Sequence, residues 1–126
     1  PPREAEPSRG PRHVITENAR TLAAADALRA DDRAALGLLM AQSHASMRDD
    51  FAITLPPIDA LAAELQALIG PEGGARMTGG GFGGAVVALM PRYRAVNIAE
   101  RLTYRTPDGA RPDILIESAA PGAGLL

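Results

Sequence analysis

Five glycines fall among the six residues from Gly79 to Gly84, and no other stretch limits the fold so strongly. Residues without side chains neither pack nor favour a helix, so the run reads as a connection. It is bracketed by Ala75-Arg76-Met77-Thr78 and by Ala85-Val86-Val87-Ala88-Leu89-Met90, which gives strand, tight loop, strand. Gly79, Gly81 and Gly84 formally satisfy G-x-G-x-x-G, but the dinucleotide fingerprint needs a helix directly afterwards to face the pyrophosphate. Here a strand follows. No Gly-Lys-Ser or Gly-Lys-Thr occurs, which excludes the phosphate loop of P-loop enzymes. A Gly/Ser linker would be polar on both sides, whereas this run carries one aromatic, Phe82, and enters an apolar strand. Two readings are left: a long hairpin connection, or a bare loop that lets another backbone or a ligand approach closely.

The residues before the loop are helical in pattern. Ile15, Ala19, Leu22, Ala25 and Leu28 recur at spacings of three and four and predict a helix from His13 to about Arg29 with those residues on its apolar face. Asp31 and Asp32 offer N-caps for a second helix with Leu36, Leu39, Met40, Ser43 and Met47 on one face. Residues 48–54 break the pattern. Pro56-Pro57 favours a new helical start, Ile58, Leu61, Leu65, Leu68 and Ile69 form its stripe, and Gly70-Pro71 ends it.

Beyond the second strand, Pro91 opens a helix with apolar positions Ala95, Val96, Ala99 and Leu102. Thr106-Pro107-Asp108-Gly109 is a turn, and Ile114-Leu115-Ile116 predicts a final strand. Residues 1–12 hold four prolines, two glutamates and three arginines without apolar periodicity and read as a tail or linker. Residues 13–118 then form one domain and residues 119–126 a flexible tail. The absence of an initial Met favours a fragment.

A net charge of −2, with 13 basic and 15 acidic residues spread along the chain, provides no basic stripe for nucleic acid. No apolar run is long enough for a membrane span, so no membrane partner is expected and a cytoplasmic location is the default. Zero cysteines remove disulfides and thiolate chemistry, and two histidines are too few for a metal cluster.

Gly74-Ala75-Arg76-Met77-Thr78-Gly79-Gly80-Gly81-Phe82-Gly83-Gly84 resembles the third signature motif of the GHMP kinases in its galactokinase form. Ser43-His44-Ala45-Ser46-Met47-Arg48-Asp49-Asp50-Phe51 is similar to the segment galactokinases carry before it, and residues 12–20 resemble the helix before that. The resemblance implies an α+β, ferredoxin-like GHMP kinase C-terminal domain with helices packed on a small antiparallel sheet, three strands of it readable here. It also implies an intact enzyme that uses ATP and Mg2+ to phosphorylate the C1 hydroxyl of galactose in a cleft against an N-terminal kinase domain. On that likeness Gly79, Gly80, Gly81, Phe82, Gly83 and Gly84 line the cleft, with Arg76 and Thr78 as further candidates. The catalytic residues, the magnesium ligands and the sugar-binding motif have no counterpart here, so no catalytic residue and no metal ligand is assigned to this chain, and the chain alone is expected to be inactive. Two departures are Pro1 to Gly10, unlike the family helix, and the polar Arg92-Tyr93-Arg94 with Asn97. A sugar-sensing homologue without turnover and a free-standing ferredoxin-like binding module are the alternatives.

Other reactive residues read as structural. Asp49 and Asp50 beside Arg48 fit a solvated helix end with local pairing rather than an acid–base or magnesium pair. His44 has no second ligand at helical spacing and fits a hydrogen-bonded interior or edge histidine. Arg76 either meets a phosphate or faces solvent, since strand alternation permits both. Phe82 plugs the loop against the core or the other domain.

Overall fold

A computed structural model describes residues 9–79 and 84–119. In chain order the elements are α1 (Arg9–Arg29), α2 (Arg33–Asp49), α3 (Pro56–Ile69), a 3-10 turn (Gly70–Glu72), β1 (Gly74–Thr78), β2 (Ala85–Leu89) and α4 (Arg92–Arg101). β1 and β2 are antiparallel, in register from Gly74 opposite Leu89 to Thr78 opposite Ala85. The helices pack on this two-stranded sheet, which is the expected α+β arrangement.

The punctuation residues act where their chemistry predicts. The Asp32 carboxylate accepts the Ala35 N–H at 3.0 Å and caps α2. Two prolines open α3, Gly70 caps its end, and Pro91 is the residue before α4. The turn at 106–109 closes with the Gly109 N–H donating to the Thr106 carbonyl at 2.7 Å. Ile69, Ala75 and Ile98 form the core centre, with Leu65, Leu68, Val86, Ala88 and Met90 packed around it.

Four expectations need correction. α1 starts at Arg9, so residues 9–12 are helical rather than tail; residues 1–8 lie outside the described residues, as do residues 120–126 of the expected C-terminal tail. The apolar stripe of α1 faces outward, with Ile15, Leu22 and Leu28 all well exposed, while His13, Glu17, Arg20, Ala24 and Ala27 turn toward the rest of the domain. Two sets of residues share the helical spacing, and the set able to hydrogen-bond with α2 is the one that packs. In α4 the buried residues are Ile98 and, just past its end, Leu102, whereas Val96 is exposed.

The fourth correction is the third strand. Residues 114–116 pair with no strand, and Ile114, Leu115 and Ile116 are exposed. Of the two sheet edges, that of β1 is taken up by side chains: Gln66 Nε2 donates to the Ala75 carbonyl at 3.0 Å, and the Met77 N–H donates to His44 Nδ1 at 3.0 Å. Residues 112–119 instead lie across a groove of about 900 Å³ from β2 and α4.

Candidate functional site

The glycine loop leaves the sheet from the end of β1, so whatever holds β1 also determines where the loop begins. α2 holds it along its length. At the first contact the backbones nearly touch: a methyl group at Gly37 would sit 1.8 Å from the Gly73 carbonyl oxygen, and one at Gly74 would sit 2.7 Å from the Gly37 Cα. Only glycine permits that approach. Further along, Arg76 Nη1 donates to Ser43 Oγ at 3.0 Å and lies 3.9 Å from the Met47 sulfur. Last, the Met77 N–H reaches His44 Nδ1.

Behind these contacts lies a polar seam between α1 and α2. Ser43 Oγ donates to Glu17 Oε2 at 2.6 Å, and Arg20 Nε donates to Glu17 Oε1 at 3.3 Å. Burial alone would raise the Glu17 pKa, but the hydrogen bonds from Ser43 and Arg20 and the charges of Arg20 and Arg76 together hold it below its usual value. Further along the seam, buried His13 Nδ1 lies 2.8 Å from Ser46 Oγ, which donates to Asp50 Oδ2 at 3.0 Å. A hydroxyl that donates to the aspartate is not activated as a nucleophile, so the order is wrong for a Ser-His-Asp triad. The His13 ring stacks on Phe51 with centroids 5.0 Å apart.

The sequence candidates divide accordingly. The Arg76 guanidinium turns back onto α2. Thr78 is half-buried at the end of β1. Gly79 has φ 91, with open space where a Cβ would be, and Gly84 sits so close to the Thr78 carbonyl that a Cβ would fall 2.8 Å from its oxygen. Gly80, Gly81, Phe82 and Gly83 lie outside the described residues. Asp49 is bonded by both Nε and Nη2 of Arg48, at 2.8 and 2.9 Å. Asp50 accepts from Ser46, with Arg12 at 3.9 Å, so both acids have structural partners. His44 is buried and fully hydrogen-bonded, its Nε2 lying 2.8 Å from Asp59 Oδ1.

Chain segments anchored in this way match known proteins. Residues 24–108 match the family model described as GHMP kinases C terminal. The chain belongs to the GHMP kinases. The crystal structure of Lactococcus lactis galactokinase complexed with galactose superposes on this GHMP kinase domain with a TM-score of 0.69. The two are 35% identical, over 77% of this chain and 25% of that one. The domain thus spans a quarter of the length of that galactokinase.

Three residues of this GHMP kinase domain that sequence reasoning passed over do much of the positioning. Arg94 donates to the Leu68 and Ile69 carbonyls at 2.8 and 2.7 Å and to Glu72 at 3.0 Å, capping the C-terminal end of α3. Its polarity had registered only as a departure from an alanine-rich helix. Glu64 accepts the Thr103 and Tyr104 N–H groups at 2.6 and 3.0 Å and ties the exit of α4 to α3. Gln66 closes the edge of β1. Contacts across 39 or 9 residues leave no local periodic signal.

Proposed function

We propose that this domain is the C-terminal part of a galactokinase, which transfers the γ-phosphoryl group of ATP to the C1 hydroxyl of galactose and releases ADP. The observation that carries this reading is the 35% identity with a galactokinase over 77% of the chain, at a TM-score of 0.69. Residues 43–51 and 74–79, where the sequence likeness is most specific, are the ones clamped together by the Ser43–Arg76 and His44–Met77 hydrogen bonds. The domain's share is architectural. It offers the cleft a rigid strand end at Thr78, followed by a glycine whose positive φ turns the backbone with no side chain in the way. Backbone N–H groups of such a loop suit phosphate oxygens.

Asp49 and Asp50 are engaged by Arg48, Ser46 and Arg12 and do not suit magnesium. The metal and the groups that orient the sugar hydroxyl then belong to the N-terminal domain of the enzyme, and a cytoplasmic location follows from the need for ATP. Among the described residues no helix is long and apolar enough to cross a membrane.

The test is turnover by the full natural polypeptide given MgATP and galactose, followed by 31P NMR. A galactose 1-phosphate signal is expected, together with none from residues 1–126 alone. Phosphorylation of homoserine or mevalonate in place of galactose would move the protein to another GHMP branch. Galactose and ATP binding without product would make it a sensor.

A further inference from the structure

His44 has a more specific task than filling the interior. It is 3% exposed and touches two elements besides its own. On one side Nδ1 accepts the Met77 N–H of β1 at 3.0 Å; on the other Nε2 lies 2.8 Å from Asp59 Oδ1 of α3. An N–H aimed at Nδ1 requires that nitrogen to be unprotonated, which leaves the proton on Nε2, where the carboxylate accepts it. The ring is therefore neutral, in one tautomer, held by Asp59 so that its lone pair points at a single backbone N–H.

That N–H sits two residues before Gly79, where the chain takes φ 91 and leaves the sheet. The other contacts between α2 and β1 lie nearer the strand's start: Gly37 against Gly73 and Gly74, then Ser43 with Arg76. Of the Ser43–Arg76 and His44–Met77 hydrogen bonds between α2 and β1, the one to His44 lies nearer the turn. The strand's far side is fixed by the pairing of Met77 with Val86 and Thr78 with Ala85. Without the imidazole, the Met77 N–H would be a buried donor with no partner, and the strand end would shift to recover one.

We infer that His44 is a positioning residue for the phosphoryl-transfer cleft: through its Nδ1 lone pair it fixes the Met77 backbone and so sets where the glycine loop begins, while Asp59 holds its tautomer. The inference rests on the galactokinase reading for its catalytic consequence but not for its structural one, and the experiment separates the two.

Asn and Gln dissect the ring. The Asn carbonyl oxygen falls near the position of Nδ1 and accepts from Met77, whereas the Gln amide nitrogen falls near Nε2 and serves Asp59 only. In the full natural polypeptide, His44→Gln should speed amide exchange at Met77 to Gly79 on the order of tenfold or more relative to amides elsewhere in the domain, while His44→Asn stays within about threefold of wild type. In turnover assays His44→Gln should raise the KM for ATP on the order of tenfold, with the KM for galactose unmoved and His44→Asn restoring it. Simple loss of folded protein would lower kcat and leave both KM values alone. Equal exchange in the two variants, whether both protected or both open, overturns the role of Nδ1. Altered exchange with an unmoved ATP KM in an active galactokinase overturns the catalytic consequence. If the wild type phosphorylates no galactose, the galactokinase reading fails while the exchange result still decides the anchor. Should either variant fail to fold, 15N NMR of the wild-type imidazole decides instead: an unprotonated Nδ1 with a protonated Nε2 is expected, and a protonated Nδ1 sinks the proposal.

Discussion

The two strands of the sheet are equally long and differ in almost everything else. β1 is sealed: Ala75 and Met77 are 0% exposed, and its outer edge is capped by side chains from α2 and α3. β2 is open, with Val87 and Leu89 at 43% and 40% exposure and a groove between it and residues 112–119. The difference shows what a strand needs in order to be buried. Both sequences are apolar enough, but only β1 meets helices whose small and polar residues allow close approach and satisfy its edge. An apolar strand without such partners stays wet on one side.

If the clamp on β1 is what separates the strands, the most damaging change is the one that forces α2 off it. Gly37→Ala places a methyl group 1.8 Å from the Gly73 oxygen and 2.7 Å from its carbonyl carbon, both backbone atoms that cannot swing aside. We expect a loss of about 3 kcal/mol or more, read as a large fall in the denaturant midpoint. A midpoint close to wild type would mean that α2 and β1 can separate freely, and the contrast between the strands would lose its cause.

The second prediction compares the strands directly. Met77→Ala removes a fully buried side chain from β1 and should cost about 2–5 kcal/mol. Val87→Ala, on the open face of β2, should cost less than about 1 kcal/mol. Chemical denaturation of both variants in the full polypeptide is the check. A large penalty at Val87 would show that another part of the protein covers β2, and the openness described here would belong to this domain alone.

Much of this asymmetry was hidden from sequence reasoning for a physical reason. The α3 stripe, the caps at Asp32 and Gly70, and the hairpin around the glycines are local signals: periodicity and turn chemistry act within a few residues. These were legible and correctly located. The face that α1 buries was not, because its apolar stripe and its polar stripe have the same period, and the choice depends on Ser43 and Ser46 of another helix. The missing third strand has a similar origin. Ile114-Leu115-Ile116 has the composition of a strand, but pairing is a long-range choice that composition does not set: the edge of β1 is closed by Gln66 and His44, and residues 112–119 lie across the groove from β2 without pairing to it. The candidate site was half legible: the motif marked the loop, but the residues that hold its base stand 33 positions away.

The smallest effect concerns charge. Carboxylates are depressed on both sides of the molecule: Glu17 lies in the α1–α2 seam behind β1, whereas Glu64 and Glu72 stand beside α4. At Glu64 burial pushes the pKa upward, but hydrogen bonds from Thr103 and Tyr104 outweigh it; at Glu72 the Tyr93 hydroxyl leads the lowering. A carboxylate whose folded pKa lies below its unfolded one stabilises the fold fully above the unfolded value, near 4.5, and loses that contribution as pH falls through the folded value. Stability should therefore decline as pH falls below about 4.5, with contributions from both sides. Glu17→Gln isolates the share of β1's side. It should lower stability at neutral pH by about 1 kcal/mol, since Ser43 and Arg20 lose a charged acceptor, and should flatten the acid slope by no more than about one proton. Amide exchange in α1 should also become less sensitive to acid, while exchange around Thr103 keeps its wild-type response. An unchanged slope in Glu17→Gln would place the acid sensitivity outside the α1–α2 seam, at Glu64, Glu72 and Asp108. The sealed strand would then owe its support to packing and edge hydrogen bonds, without help from the Glu17 carboxylate behind it.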